Sequence, residues 1–193
     1  MENKNRKQQR TAYHEIGHAM AMYICCGDIE DIEYIEIAEN KEDFTLGRNV
    51  YLNTIYSYAN TPRFGTRAGF DYYFNKVCIL LGGMVSARIM TGEKTYRNRP
   101  LQDATSDEIA IDKIFQRVSD DPNLTLITCS LELVRTVDVM HLKKTCLMFL
   151  ESAFSKRITE IQALSDFLLE HGKMYKSDFY NVLQGLKTAC DAS

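Results

Sequence analysis

The chain has 193 residues, of which 45% are hydrophobic and 25% charged, as in an ordinary globular protein whose core suffices for one domain. Its net charge of −3 excludes the strongly basic surface typical of nucleic-acid-binding proteins, so no nucleic-acid partner is expected. None of its six cysteines form a C-x-x-C pair, so we expect reduced core thiols rather than a disulfide framework or a zinc knuckle.

The first predicted element is a helix from about residue 5 to Cys26, because apolar residues recur at helical spacing and Gly27 can end the helix. Residues 14–18 of this helix spell H-E-x-x-H and contain two of the four histidines. Residues four apart lie on one face of a helix, about 6 Å apart along its axis. His14 and His18 can therefore bind one metal ion, with Glu15 beside it.

This spacing predicts a zinc-peptidase site with two imidazole ligands and a carboxylate as general base. The alternative is a chance pattern on a surface helix, since short motifs do occur by accident. A chance occurrence is disfavoured by the small residues within and just after the motif, which permit close packing of the helix: Gly17, Ala19 and Ala21.

A β-hairpin is predicted directly after this helix. Ile32 to Ile37 alternates apolar and acidic residues, as in a half-buried strand, and Asn40 to Asp43 forms a polar turn. Leu46 to Leu52 then gives a return strand. A peptide substrate could add to this hairpin as a further strand.

After a loop-like segment at residues 53–70, a second long helix is predicted from about Phe70 to Met90. It contains Gly82 and Gly83, each of which costs roughly 1 kcal/mol of helix propensity. Such a cost is tolerated where another backbone must come close, and a kink is the alternative.

This second helix contains the longest apolar segment, Val77 to Ala87, which two glycines and a serine interrupt and Arg88 ends. A membrane-spanning helix needs about 20 apolar residues, so no membrane segment is expected. The N-terminus also lacks the apolar stretch of a signal peptide, so we expect a cytoplasmic protein.

A catalytic zinc ion normally takes three protein ligands, so one more must come from elsewhere in the chain. Cys25 lies about 10 Å from His18 along the first helix, which is too far. His141 and His171 each stand alone in the C-terminal region, where a satisfied surface or core histidine is the more common situation.

Among the carboxylates, Asp107 is the best placed, because it lies in the first turn of a helix that Thr105 and Glu108 would cap. The helix dipole there favours the ionised form that a ligand needs. Asp103 and Glu108 are the nearest competitors. From the pattern alone, an ordinary helix-start acid is the commoner explanation for Asp107.

Residues 120–123 break this third helix, and the rest of the chain is predicted to be helical to its end, with turns near Gly172 and Ser177. We expect a single domain over residues 1–193, with a catalytic part at 11–118 and a helical part at 130–190. The predicted fold class is mainly α, with a small β-hairpin next to the H-E-x-x-H helix and a C-terminal helical bundle.

The chain resembles the peptidase domain of the FtsH family of ATP-dependent zinc metalloproteases. The residues that carry this likeness lie at Thr11–Ala19, Ile35–Ile37, Leu46–Arg48, Leu80–Ala87, Ala104–Asp107 and, more weakly, Leu168–Glu170 with Met174–Leu183. In the family, the segment that matches Ala104–Asp107 ends in an aspartate that is the third zinc ligand, so the resemblance implies that role for Asp107. The resemblance covers about residues 11–118 well and 140–185 weakly.

The chain also departs from the family. Ala87 and Arg88 stand where the family carries acids, so these positions cannot supply a carboxylate ligand, which further favours Asp107. The segments 53–70, 91–104 and 119–135 differ, which leaves substrate preference open. The ATPase module and membrane anchor of the family are missing from this sequence, as is a G-x-x-x-x-G-K loop, so no ATP site is expected in this chain.

These features together predict a metalloendopeptidase with one Zn²⁺ per chain, held by His14, His18 and Asp107. Glu15 would take the proton of a zinc-bound water as it attacks the peptide bond, then pass it to the leaving amine. Expected substrates are unfolded segments, short peptides or a dedicated partner protein. The resemblance is compatible with homo-oligomers, since the family forms hexameric rings, and with a separate ATPase partner.

Two other interpretations stay open at this point. One is a non-catalytic peptidase-like module with a binding or regulatory role, and the other is an unrelated helical bundle that carries the motif by chance. The intact motif speaks against the first, because a dead scaffold has no need for Glu15. No oxyanion-stabilising group is identified; tyrosines in the 51–58 loop are weak candidates, since packed aromatics are the commoner explanation.

Overall fold

A computed structural model describes residues 2–39, 45–51, 67–93, 105–119, 127–129, 132–134 and 139–191 of the protein. Over these ranges the fold is mainly helical, as predicted. The predicted β-hairpin is present, but it belongs to a three-stranded antiparallel sheet whose third strand was not predicted. The helices are α1 (Glu2–Cys26), α2 (Arg67–Thr91), α3 (Thr105–Ser119), α4 (Val139–Ser155), α5 (Ile158–His171) and α6 (Lys176–Asp191). The strands are β1 (Ile32–Glu39), β2 (Thr45–Tyr51), β3 (Ile127–Cys129), β4 (Glu132–Val134) and β5 (Lys173–Tyr175).

Helices α1 and α2 form the centre of the molecule and contact each other through two glycines. A Cβ atom added at Gly82 would lie 2.5 Å from the carbonyl oxygen of Gly17, and one added at Gly17 would clash with the carbonyl of Gly82. The two backbones are thus in direct contact. The expected close approach of another backbone accounts for the glycine at position 82.

The core lies between this helix pair and the C-terminal helices. Ile16 and Met20 of α1 are fully buried. So are Val77 of α2, Leu150 and Phe154 of α4, and Leu164 of α5. Leu81 of α2 is also buried. Helix α2 is therefore covered on most of its surface, which explains why it is apolar nearly all round.

By length and hydropathy alone, one described helical segment, Asp71–Thr91, could cross a membrane. However, 72% of its most apolar window is buried inside the protein. The core helix of a globular protein has the same composition, so the segment is weak evidence for a membrane span. The absence of a membrane segment stays a prediction.

The sheet has the order β2-β1-β5, with both pairs antiparallel. Strand β2 is an edge strand among the described residues, and its register pairs Asn49 with Ile35 and Gly47 with Ile37. Alternate residues of a strand point to opposite faces. Gly47 and Asn49 face helix α1, whereas Arg48 forms an ion pair with Glu36 on the other face.

The expectation of helix is wrong at residues 127–129, 132–134 and 173–175, which form strands. Strands β3 and β4 pair with each other, which suits their β-branched Ile, Thr and Val residues. Strand β5 pairs with β1, and its Met174 is fully buried opposite Ile35. The predicted turn at Gly172 is confirmed, with φ at 70°, but α6 already begins before Ser177.

The structure describes the thiols of four cysteines, and all four are free. Cys78 and Cys146 are buried, as expected of core thiols, and Cys25 is half-buried. Cys26 is exposed, so the expectation of a core position is wrong for this residue. The side chains of the remaining two cysteines lie outside the described part.

Candidate metal centre

Two helices bring three metal-ligating side chains together. Helix α1 presents His14 and His18 with their Nε2 atoms 3.0 Å apart. Helix α3 presents Asp107, whose Oδ2 lies 3.2 Å from Nε2 of His14 and 3.4 Å from Nε2 of His18. The three ligand atoms lie within 4.8 Å of one another, and this cluster could hold a metal ion.

The ring of His18 is oriented by the backbone of α2. Its Nδ1 lies 2.7 Å from the carbonyl oxygen of Ile79, and because a carbonyl only accepts hydrogen bonds, Nδ1 must carry the hydrogen. In the neutral ring, Nε2 then presents its lone pair to the cluster. Metal-binding histidines are commonly held in this way, with the second nitrogen donating to a carbonyl.

The charges in the cluster favour a bound cation. Burial alone would lower the pKa of His18, but the hydrogen bond and negative charge of Asp107 raise it to about 9. Burial opposes ionisation of Asp107, yet hydrogen bonds and positive charge from His14 and His18 bring its pKa well below the usual value. An ionised carboxylate and two imidazole nitrogens therefore converge on one point, and this donor set fits a metal ion.

The second glycine of α2 leaves room at the point where the ligands converge. A Cβ atom at Gly83 would lie 2.5 Å from Nε2 of His18 and 2.8 Å from Nε2 of His14. Gly83 is thus explained by imidazole side chains rather than by the backbone contact that explains Gly82. The sequence predicted that another backbone comes close to the Gly82–Gly83 pair, but not that only Gly82 contacts a backbone while Gly83 contacts the histidine rings.

Glu15 lies beside the cluster with only 7% of its surface exposed. Burial raises the pKa of its carboxyl, and the charges of His18 and His14 and a hydrogen bond from Asn49 partly offset that effect. A raised pKa makes the ionised carboxylate a better proton acceptor.

Strand β2 contacts Glu15 through two residues to which the sequence analysis assigned no role at the site. The amide nitrogen of Asn49 donates to Oε2 of Glu15 at 2.7 Å and to its backbone carbonyl at 3.1 Å. A Cβ atom at Gly47 would lie 2.6 Å from Oε1 of Glu15, so only glycine leaves the carboxylate its space. The available signal was their two-residue spacing, which places both on one face of the strand.

Among the candidates for the third ligand that the structure describes, only Asp107 lies in the cluster. Glu108 is half-buried on α3 and is not part of the cluster, while Asp103 lies outside the described residues. Cys25 is likewise not part of the cluster, as its distance along α1 predicted.

The expectation of a satisfied histidine is confirmed for His171. Its Nδ1 lies 2.9 Å from the carbonyl oxygen of Phe167, and its ring stacks on the Phe167 ring with centroids 4.1 Å apart. The side chains of His141, Thr105 and Tyr51, and the whole of Tyr56 and Tyr58, lie outside the described part.

A scan against protein-family models found no match for this chain, and a search of curated proteins found no relative. The resemblance to the FtsH peptidase domain therefore stays a prediction carried by the motif residues. Within the described residues, four of those residues now lie around one point: His14, Glu15, His18 and Asp107.

Proposed function

We propose that this protein is a zinc-dependent metalloendopeptidase whose catalytic domain is similar to the FtsH peptidase domain. The observation that carries the proposal is the convergence of two imidazoles and an aspartate next to a buried glutamate. Two nitrogen donors and one carboxylate are a ligand set found in catalytic zinc sites, which keep a further position open.

His14, His18 and Asp107 would hold the zinc ion. When bound, zinc polarises the carbonyl of the scissile peptide bond and lowers the pKa of water toward 7. Glu15 accepts the proton that the attacking water releases and delivers it to the nitrogen of the leaving amine. Because Glu15 is buried, bulk solvent does not compete strongly for its carboxylate.

The position of strand β2 suggests how a peptide would bind. Among the described residues, the outer edge of β2 has no partner strand, and Gly47 and Asn49 of this strand contact Glu15. An extended peptide that added to this edge would pass the base. Substrates in this proposal are therefore unfolded segments, short peptides or an extended segment of a partner protein.

Glu15→Gln tests the proposal directly. The variant should still bind one zinc ion per chain, measured by elemental analysis, because Glu15 is not a ligand. Cleavage of unfolded casein should fall by about 10²–10⁴-fold, the usual contribution of a general base. Glu170→Gln, the same change at an exposed position of α5, is the matched control and should cleave as the wild type does.

Two results would contradict the proposal. If Glu15→Gln cleaves casein at the wild-type rate, Glu15 is not the base. If the zinc-loaded wild type cleaves neither casein nor a library of short peptides, a non-catalytic binding module is the better interpretation of the metal cluster.

A further inference from the structure

The side chain of Asn49 makes an unusual pair of contacts with one residue. Its amide nitrogen donates to Oε2 of Glu15 at 2.7 Å and to the backbone carbonyl of Glu15 at 3.1 Å. Both acceptors belong to Glu15, so Asn49 ties the carboxylate of that residue to its own helix backbone. A side chain held in this way cannot rotate freely about its χ angles.

The orientation of the Asn49 amide follows from its partners. With the amide turned over, its oxygen would face a carboxylate and a carbonyl, and all three groups are acceptors. In the observed orientation the Oδ1 atom is buried and has no hydrogen-bond partner among the residues that the structure describes. A buried acceptor without a partner costs free energy.

An apolar residue of similar size would avoid that cost if Asn49 served packing alone. The Asn49 amide is a buried polar group with only some of its hydrogen bonds formed, and such a group calls for an explanation. The explanation here is that its NH₂ group holds Glu15. Asn49 is placed rigidly for this contact, because it lies on β2 and is paired with Ile35 of the central strand. Gly47 completes the pocket by leaving space for Oε1 of Glu15.

We propose that Asn49 is a positioning residue that holds the Glu15 carboxylate in the orientation required for proton transfer. This inference rests on the proposed peptidase function. Asn49 itself contacts neither the metal ligands nor the substrate in this proposal, only the carboxylate and backbone of Glu15. Its effect reaches the reaction through Glu15, so it should change kcat and leave metal binding and KM unchanged.

The test compares zinc-loaded Asn49→Leu with the wild type on a fluorogenic peptide taken from a cleavage site in casein. We expect kcat to fall by about 10–100-fold, as is common when the partner that orients a site residue is lost, with KM within about twofold. Zinc content should stay at one per chain. Asn181→Leu, the same change at an exposed position of α6, is the matched control and should keep the wild-type kcat.

A second variant and a second measurement keep the inference testable if Leu disturbs the strand. In Asn49→Ser, the small serine side chain is easily accommodated in an edge strand. Its hydroxyl oxygen is one bond closer to the backbone than the amide nitrogen of Asn49, so it cannot reach the Glu15 carboxylate. This variant should show the same loss of kcat. Crystal structures of both variants should show the Glu15 carboxylate displaced by more than about 1 Å, a value larger than ordinary side-chain fluctuation.

Three outcomes would overturn the inference. These are a wild-type kcat in both variants, a fall in kcat that matches a loss of bound zinc, and a Glu15 carboxylate that stays in place without Asn49. Inactivity of the zinc-loaded wild type would instead overturn the proposed function. In that case the crystal structures still decide whether Asn49 fixes the position of Glu15.

Discussion

In the proposed zinc site, a proton and the metal ion would compete for Nε2 of His18. In the metal-free protein the pKa of His18 is raised to about 9, so this ring is protonated at pH 7 and must lose that proton before it can bind zinc. We expect the apparent affinity for zinc to rise by about tenfold per pH unit between pH 7 and pH 9. Above pH 9 the affinity should no longer depend on His18.

Calorimetric titration with zinc at pH 7.5, in two buffers of different ionisation enthalpy, measures the released protons directly. About one proton from His18 should appear per zinc bound. Release of no protons at pH 7.5 would contradict this prediction, because it would mean that the ring is already neutral there.

Asp107 is the proposed ligand for which the sequence pattern alone gave the least support, so its removal is informative. Asp107→Ala leaves the two imidazoles without their only carboxylate partner in the described cluster. We expect zinc retention to weaken by more than about 100-fold, since loss of even an outer partner of a ligand costs up to that factor. Asp112→Ala, at an exposed position of the same helix, is the control. Equal zinc affinity in both variants would assign the third ligand to another residue.

At the scale of elements, the two neighbouring glycines of α2 have separable roles. Gly82→Ala places a methyl group against the backbone of α1, which cannot move without separating the two helices. We expect this variant to lower the free energy of unfolding by about 1–3 kcal/mol or more, as overpacked cores do. Chemical denaturation of the metal-free protein measures the effect.

Gly83→Ala instead places a methyl group against the two imidazole rings. Side chains can move aside, so we expect smaller destabilisation than for Gly82→Ala but a clear loss of zinc affinity. Gly185→Ala serves both variants as a control, because nothing lies within 4 Å of its added Cβ and alanine favours the exposed helix α6. Similar zinc affinities for Gly83→Ala and Gly185→Ala would contradict the role assigned to Gly83.

The elements with a strong local pattern were predictable from the sequence, and those that depend on distant partners were not. The spacing of apolar residues predicted helix α1 and strand β1, and β2 follows β1 as the second strand of the expected hairpin. Strand β5 is only three residues long, and its conformation comes from pairing with β1. A segment that short carries no periodicity of its own, so helix propensity in its surroundings gave the wrong prediction.

The same distinction applies to the candidate site. His14, Glu15 and His18 lie within about one helical turn of each other, so their spacing along the helix fixes their relative positions. Asp107 and Asn49 lie far from them in the chain, and only packing brings them near. The family resemblance could identify Asp107, because that residue lies in a recognisable motif. Asn49 belongs to no such motif, and only its contacts with Glu15 in the structure identify it.

At the scale of the whole molecule, a metal ion in this cluster would cross-link α1 to α3. Helix α3 packs on α2 and α4, and Asp107 extends from its first turn to the imidazoles of α1. Free zinc at 100 times its Kd should stabilise the fold by about 2.7 kcal/mol and raise Tm by roughly 5–10 °C. Excess EDTA should reverse the increase, and a Tm independent of both would contradict a metal link.

The location of this stabilisation can be tested by hydrogen exchange. Metal removal should increase exchange in peptides from residues 105–119 more than in peptides from the α1–α2 pair, whose glycine contact does not involve the metal. In metal-free protein, protonated His18 would form an ion pair with Asp107 and so partly take over this link between α1 and α3. Because the folded pKa of His18 lies above its ordinary 6.5, this stabilisation is complete below pH 6.5 and is lost as the pH rises through about 9. The difference in Tm between zinc-loaded and metal-free protein should therefore widen from pH 6.5 to pH 9.5, and a constant difference would mean that His18 does not hold α3 in place.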